Sequence, residues 1–148
     1  MRKLLILTLF AATACAGRTE GNRDDDFDLE ATDWGAQLSE RLNSNVSGSA
    51  TTRTAVVGSG GTSTANIEIR GATPGARHPW HVHTGTCASG GPIVGEANDY
   101  PVLEIGTDGT DDATAAIEAG MSDEGRYHVN VHRSPTDLTV ISCGDLRD

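Results

Sequence analysis

The stretch TANIEIRG, residues 64–71, alternates strictly between apolar and polar side chains. Ala65, Ile67 and Ile69 would lie on one face of an extended chain, with polar residues between them on the other face. Because side chains of a strand alternate between its two faces, this period of two predicts a half-buried β-strand. Glycine- and proline-containing segments at 58–61 and 72–76 bound it as turns.

Similar short segments recur beyond Val46, and no convincing long helix separates them. Only DWGAQLSERLNSN is ambiguous, because Trp34, Leu38 and Leu42 fit a helical face whereas Ala36 and Leu38 fit a strand. We therefore predict an all-β fold, an antiparallel Greek-key sandwich or barrel of about seven to eight strands. The other candidate strands are SATTRTAVV and residues 80–84, 102–105, 113–118, 127–132 and 138–142.

The N-terminal residues are typical of an exported protein. MRKLLILTLFAATAC combines two basic residues, an apolar run from Leu4 to Ala12 and small residues before Cys15. The run is shorter than the ~20 residues of a membrane-spanning helix, so we predict a signal peptide over residues 1–14. The small residues before Cys15 resemble the lipobox of bacterial lipoproteins, although Ala12 stands where leucine is usual. Ordinary cleavage nearby, with Cys15 discarded, is the alternative to a lipid anchor in the cell envelope, facing the periplasm or the exterior.

Residues 15–33 are polar and acidic with little apolar content, which predicts a lipidated N-terminus and flexible tether before one domain at 34–148. Loss of Arg2 and Lys3 with the signal peptide changes the formal charge from −10 to −12. That charge argues against nucleic acid and anionic lipid surfaces as partners. The expected membrane contact is therefore the lipid on Cys15.

Two cysteines remain if Cys15 carries a lipid. In an exported protein, Cys87 and Cys143 most simply form a disulfide.

All five histidines lie between residues 78 and 132, in two strand-like segments. His81 and His83 are two positions apart, so a strand would place them on one face about 6.6 Å apart, where they could bind one ion. His128 and His132 in YHVNVH also share a face, but at about 13 Å they are too far apart to share an ion on a regular strand. We expect at most one of these two to join the site.

The segments that contain these histidines resemble the Cu/Zn superoxide dismutases. HPWHVH, residues 78–83, is similar to the family signature His-x-Phe-His-Val-His, with tryptophan in place of phenylalanine. CASGGP at 87–92 resembles the family's Cys-x-x-x-Gly-Pro, and GRYHVNVH at 125–132 resembles the strand that ends in another copper histidine. SCGDL at 142–146 resembles the Cys-Gly near the C-terminus. The similarity covers about residues 46–146, and it implies a superoxide dismutase-like fold.

Carried over residue by residue, the resemblance makes His81, His83 and His132 copper ligands and His78 a structural residue beside them. It pairs Cys87 with Cys143 in the family's disulfide, which agrees with the expectation from export. Three imidazoles without a carboxylate or thiolate favour copper, and Cu(I) tolerates low coordination, although zinc or no metal remain open.

The departures from the family pattern concern the zinc site and an arginine. The family's histidine that bridges copper and zinc is Ile93 here, and the following loop contains no histidine, so a zinc site of the family kind is not expected. The family's arginine that attracts superoxide beside copper is Val140 here. An arginine elsewhere could replace its charge if the fold brings one close, and the candidates are Arg77, Arg126 and Arg133.

Two classes of function compete. One is a dismutase-like enzyme, which would convert superoxide to oxygen and hydrogen peroxide with copper cycling between two oxidation states. The other is a non-catalytic envelope module that holds copper or serves as a scaffold, such as a chordin-type repeat, which the TPG and HVH segments faintly resemble. The departures favour weak or lost activity, so we assign no catalytic residue. The histidines could also be ordinary polar side chains, His128 most readily, and Trp80 is most simply core.

Overall fold

The computed structural model describes residues 31–57 and 60–148 of the chain. The predicted signal peptide, the lipid on Cys15 and most of the predicted tether lie outside the described residues. Among the residues that are described, none belongs to a helix long and apolar enough to cross a membrane.

The described residues form an almost entirely β structure, which confirms the predicted fold class. Seven antiparallel strands make one sheet in the order β5-β8-β9-β1-β2-β3-β7, and this sheet curls into a half-barrel. Strands β4 and β6 form a separate short antiparallel pair that contacts β8 and β7. The strands are β1 Ala31–Glu40, β2 Ser47–Val57, β3 Gly60–Arg70, β4 Arg77–His78, β5 Trp80–Thr84, β6 Leu103–Glu104, β7 Asp111–Ile117, β8 Tyr127–Ser134 and β9 Asp137–Asp145, with a 3-10 turn at Ala97–Asp99.

The ambiguous segment after residue 33 is strand β1, so its helical interpretation is wrong. Trp34, Ala36 and Leu38 are buried in alternation with exposed residues, and the strand lies between β2 and β9 in the sheet. Leu42, which a helix would place on the same face as Trp34, is 67% exposed in the turn that follows. Pairing with two neighbouring strands satisfies the backbone hydrogen-bonding groups of β1. This pairing selects the strand over the helix, which the side-chain pattern alone did not do.

The hydrophobic core covers one face of β5 and determines where the histidines of this strand point. Trp80 and Val82 are fully buried in it, and the indole N–H of Trp80 donates to the carbonyl of Pro101 at 2.8 Å. Because consecutive side chains of a strand point to opposite faces, His81 and His83 must lie on the other side of β5. Burial of a tryptophan thus orients the histidine pair away from the core.

A disulfide joins Cys87 and Cys143, as the sequence predicts, with the two Cα atoms 6.0 Å apart. It attaches the loop that follows β5 to strand β9. Asp145 accepts a hydrogen bond from the backbone N–H of Cys87 at 2.6 Å, which gives the loop a second attachment to the end of β9.

Replacing both cysteines, as in Cys87→Ser with Cys143→Ser, should lower the free energy of unfolding. The disulfide closes a loop with a sequence separation of 56. For a loop of this length, the loss of chain entropy in the unfolded state stabilises the folded protein by about 4 kcal/mol. Urea denaturation of the double variant and the parent measures this difference. Thiol labelling of the unreduced, denatured parent should find neither cysteine free, and stoichiometric labelling of both would contradict the bond.

Candidate metal centre

The pairing of β5 with β8 collects the histidines on one face. His81 lies opposite Asn130 and His83 lies opposite His128, and directly opposed residues of antiparallel strands point the same way. The backbone N–H of His132 donates to the carbonyl of Pro79 at 2.8 Å, just beyond the regular pairing, where the register between β8 and β9 is irregular. This hydrogen bond continues the β5–β8 register by one position, so His132 lies beside the start of β5.

His81, His83 and His132 form one compact cluster. Their ligand nitrogens all lie within 4.8 Å of one another, and the side chains are 7%, 9% and 6% exposed. A group of this kind could hold a metal ion. The structure thus brings together the three histidines that the sequence analysis selected and leaves His128 outside the group.

Backbone carbonyls orient two of the three rings. Nδ1 of His83 donates to the carbonyl of Gly91 at 2.9 Å, and Nδ1 of His132 donates to that of Leu138 at 2.8 Å. Because a carbonyl only accepts, each Nδ1 carries the proton and each Nε2 is left with a free lone pair. Nε2 of His83 is buried without a partner, and Nε2 of His132 lies 3.2 Å from Nδ1 of His81. These hydrogen bonds are the kind that fix metal-binding imidazoles.

His78 lies beside the cluster and contacts one of its members. It is 6% exposed in β4, and its Nδ1 donates to the backbone carbonyl of His132 at 2.9 Å. The contact fits the supporting position that the family resemblance implies. His78 is not among the three residues whose nitrogens converge.

The protein environment keeps the cluster neutral. Burial, and then the charges of His132 and His83, lower the pKa of His81 from 6.5 to about 4. Burial also lowers the pKa values of His83 and His132, against hydrogen bonds that raise them. Since a metal binds the unprotonated imidazole, the lowered pKa values favour the metal-binding form of all three rings.

The metal-free protein should become less stable as the pH falls from 6.5 toward 4. The pKa of His81 is 6.5 when exposed and about 4 when folded, so in this window the unfolded chain binds more protons and stability decreases with acidification. His81 alone should account for about 2 kcal/mol between pH 7 and pH 4.5. Urea denaturation of the protein and of His81→Gln at both pH values isolates this contribution. Equal losses in the two proteins would contradict the pKa assignment.

A cavity of about 540 Å³ lies next to the cluster, between the turn after β1 and strands β8 and β9. We call it the Arg41 cavity. Val140, at the position of the family's arginine, lies in its wall together with Arg41. The residues that line it are Arg41, Leu42, Cys87, Gly90, His128, Asn130, Thr139 and Val140.

Sequence reasoning missed Arg41, and none of the three arginines that it considered lines this cavity. Arg77 pairs with Glu104 at 3.3 Å, and Arg133 pairs with Asp137 at 2.8 Å. Arg126 lines a different surface pocket. The position of Arg41 depends on where β1 ends, and the sequence offered no signal for that, since this segment could also have been helical.

Ile93 occupies the position at which the family has its bridging histidine. It forms an isolated bridge with His83, and its partly buried side chain packs against the hydrophobic core. The segment around it pairs with the free edge of β5 through Thr84 and Val94. This pairing holds the Gly91 carbonyl against His83.

No family model matches the chain, and a search of curated proteins finds no similar sequence.

Proposed function

We propose that this chain is an exported, superoxide dismutase-like domain that binds one copper ion through His81, His83 and His132. It has no family-type zinc site, and its dismutase activity is weak or lost. The observation that carries the proposal is the buried cluster of three imidazoles, two of them oriented by backbone carbonyls so that Nε2 is free. The motif resemblance adds the identity of the fold family.

The donor set is the reason for proposing copper. The cluster offers neutral imidazole nitrogens only, and no carboxylate or thiolate of the described residues belongs to it. Cu(I) accepts three nitrogen ligands without further donors, whereas zinc sites of this size usually add a fourth ligand or water. Copper bound there would supply one-electron redox chemistry. The protein's part is to keep three lone pairs unprotonated and fixed in a largely dry pocket.

An active copper-dependent superoxide dismutase of the envelope is the second candidate. Arg41 favours it, because this arginine lines the cavity beside the cluster and could attract an anion that the protein's net charge of −10 repels. The missing bridging histidine at Ile93 argues against it. A metal-free binding module, the remaining alternative, would need neither Arg41 nor a bridging histidine.

Metal analysis of the protein purified from its native compartment tests the proposal. We expect about one copper per chain and little zinc. Stoichiometric zinc would overturn the choice of metal, and metal-free protein that also fails to take up Cu(I) in vitro would overturn the site. A superoxide assay on the same copper-containing sample separates the enzyme from the copper-binding module.

Cys15→Ser should move the protein from the membrane fraction to the soluble fraction. We propose a lipid on Cys15 as the anchor, because residues 16–33, with seven acidic residues against two arginines, have a net negative charge and no strongly apolar run. Fractionation of cells that express the variant and the parent measures the change. Unchanged membrane association of the variant would show that another anchor exists.

A further inference from the structure

We infer that the Arg41 cavity is a binding site for a small organic carboxylate. Its volume of about 540 Å³ lies within the range of small-molecule sites. A diatomic or simple inorganic anion would leave most of that volume filled with water. The inference does not depend on the proposed function, because none of the three clustered histidines lines the cavity.

Arg41 supplies the positive charge. The Nη2 nitrogen of its guanidinium group donates to the carbonyl of Cys87 at 3.3 Å, which holds the side chain at the cavity while other N–H groups stay available. The ion pairs among the described residues use Arg53, Arg77 and Arg133. Arg41 is therefore free of any carboxylate in that part of the chain. A planar guanidinium binds a carboxylate through two parallel hydrogen bonds.

Two buried polar side chains add directional groups to the cavity. His128 is 1% exposed and Asn130 is 8% exposed, and the Asn130 amide nitrogen donates to Nε2 of His128 at 3.3 Å. Nε2 therefore accepts, and in the neutral ring the proton resides on Nδ1, which lies toward the backbone of Gly85. The side-chain amide of Asn130 has a second N–H that can donate to a ligand carboxylate.

Apart from Thr139, the remaining lining residues carry no polar side chain, and the largest exposed one is Leu42. This leucine has φ of 57°, and among the described residues only asparagines and glycines share its left-handed backbone conformation. It is also 67% exposed. Leu42 and Asn43, with φ of 57° and 54°, are the two central residues of a tight turn that the N–H of Ser44 closes on the carbonyl of Arg41 at 3.2 Å. Together with Val140 and Cys87, Leu42 provides a surface for the apolar part of a ligand.

Benzoate is a suitable probe because it joins a carboxylate to a rigid apolar ring. We expect it to bind metal-free protein with a dissociation constant of about 1 mM, given the affinity usual for a ligand of this size. Two-dimensional NMR titration should show saturating shifts concentrated at the cavity residues. The isosteric neutral amide, benzamide, and acetate, which lacks the ring, should each bind at least about tenfold more weakly.

Two variants test the roles of charge and space. Arg41→Gln should weaken benzoate binding at least about tenfold, whereas Arg53→Gln, which removes an arginine on strand β2, should not change it. Val140→Trp keeps the charge and fills the cavity, so it should also abolish binding. The NMR spectrum of each variant shows whether it is folded.

Equal binding of benzoate and benzamide would overturn the inference, as would equal affinities of Arg41→Gln and Arg53→Gln. Shifts confined to other surfaces, or none at 20-fold above the expected dissociation constant, would also overturn it. Repeating the titration on copper-loaded protein separates this site from the metal centre. If copper does not bind at all, the proposed function is wrong. The carboxylate site is tested separately, by the titration of the metal-free protein.

Discussion

Replacing His81, His83 or His132 with alanine should each reduce the affinity for Cu(I) by more than about 100-fold. That factor is the upper end of the loss caused by removing a residue that merely supports a metal ligand. Each of these variants removes one of three convergent nitrogens. The other two, which lie within 4.8 Å of each other, remain in a more open site. Competition with a chromophoric Cu(I) chelator measures the affinities.

His128→Ala is the matched control, since it removes a histidine from the same face of the sheet. The His128 ring stacks on that of His83 at a centroid distance of 5.2 Å, but its nitrogens do not belong to the cluster. Loss of one such stacking contact corresponds to a reduction of at most about tenfold. A loss as large as that of the cluster variants would show that His128 is a ligand and that the assignment is wrong.

The two adjacent histidines of this site could be predicted from the sequence, but the third required the fold. Period-two spacing alone places His81 and His83 on one face of a strand. The choice of His132 over His128 came from the family resemblance. The structure brings His132 to the cluster through the pairing of β8 with β5, which continues past Val131 to His132 and Pro79. Such long-range pairing is not encoded in local periodicity.

Because strand pairing cannot be inferred from local periodicity, the sequence also left β1 ambiguous and did not indicate Arg41. The alternation in β3 predicted its buried face, and Ala65, Ile67 and Ile69 are each at most 3% exposed. In β1 the apolar spacing fits both a helix and a strand, and tertiary pairing decides between them. The same ambiguity explains why Arg41 was not predicted. This residue reaches the cavity only if β1 is a strand that ends at Glu40.

Copper-loaded protein should dismute superoxide at least about 100-fold more slowly than the diffusion ceiling of roughly 10⁸ to 10⁹ M⁻¹s⁻¹. Without a histidine at Ile93, the family's bridging imidazole is missing, so proton delivery to the departing peroxide needs another route. The net charge of −10 repels an anionic substrate, and a cluster at most 9% exposed is hard to reach. Three imidazoles also favour Cu(I) over Cu(II), which hinders half of a redox cycle.

Pulse radiolysis of samples with measured copper content gives this rate, and Arg41 provides the internal test. Arg41 is the only cation that lines the cavity beside the cluster in the described part of the chain. Any residual rate should therefore fall in Arg41→Gln and stay unchanged in Arg53→Gln, because steering by one local charge acts within about a Debye length of 10 Å. A rate near the ceiling would show that the site works without the bridging histidine. If that rate also survived Arg41→Gln, local attraction of the anion would be unnecessary as well.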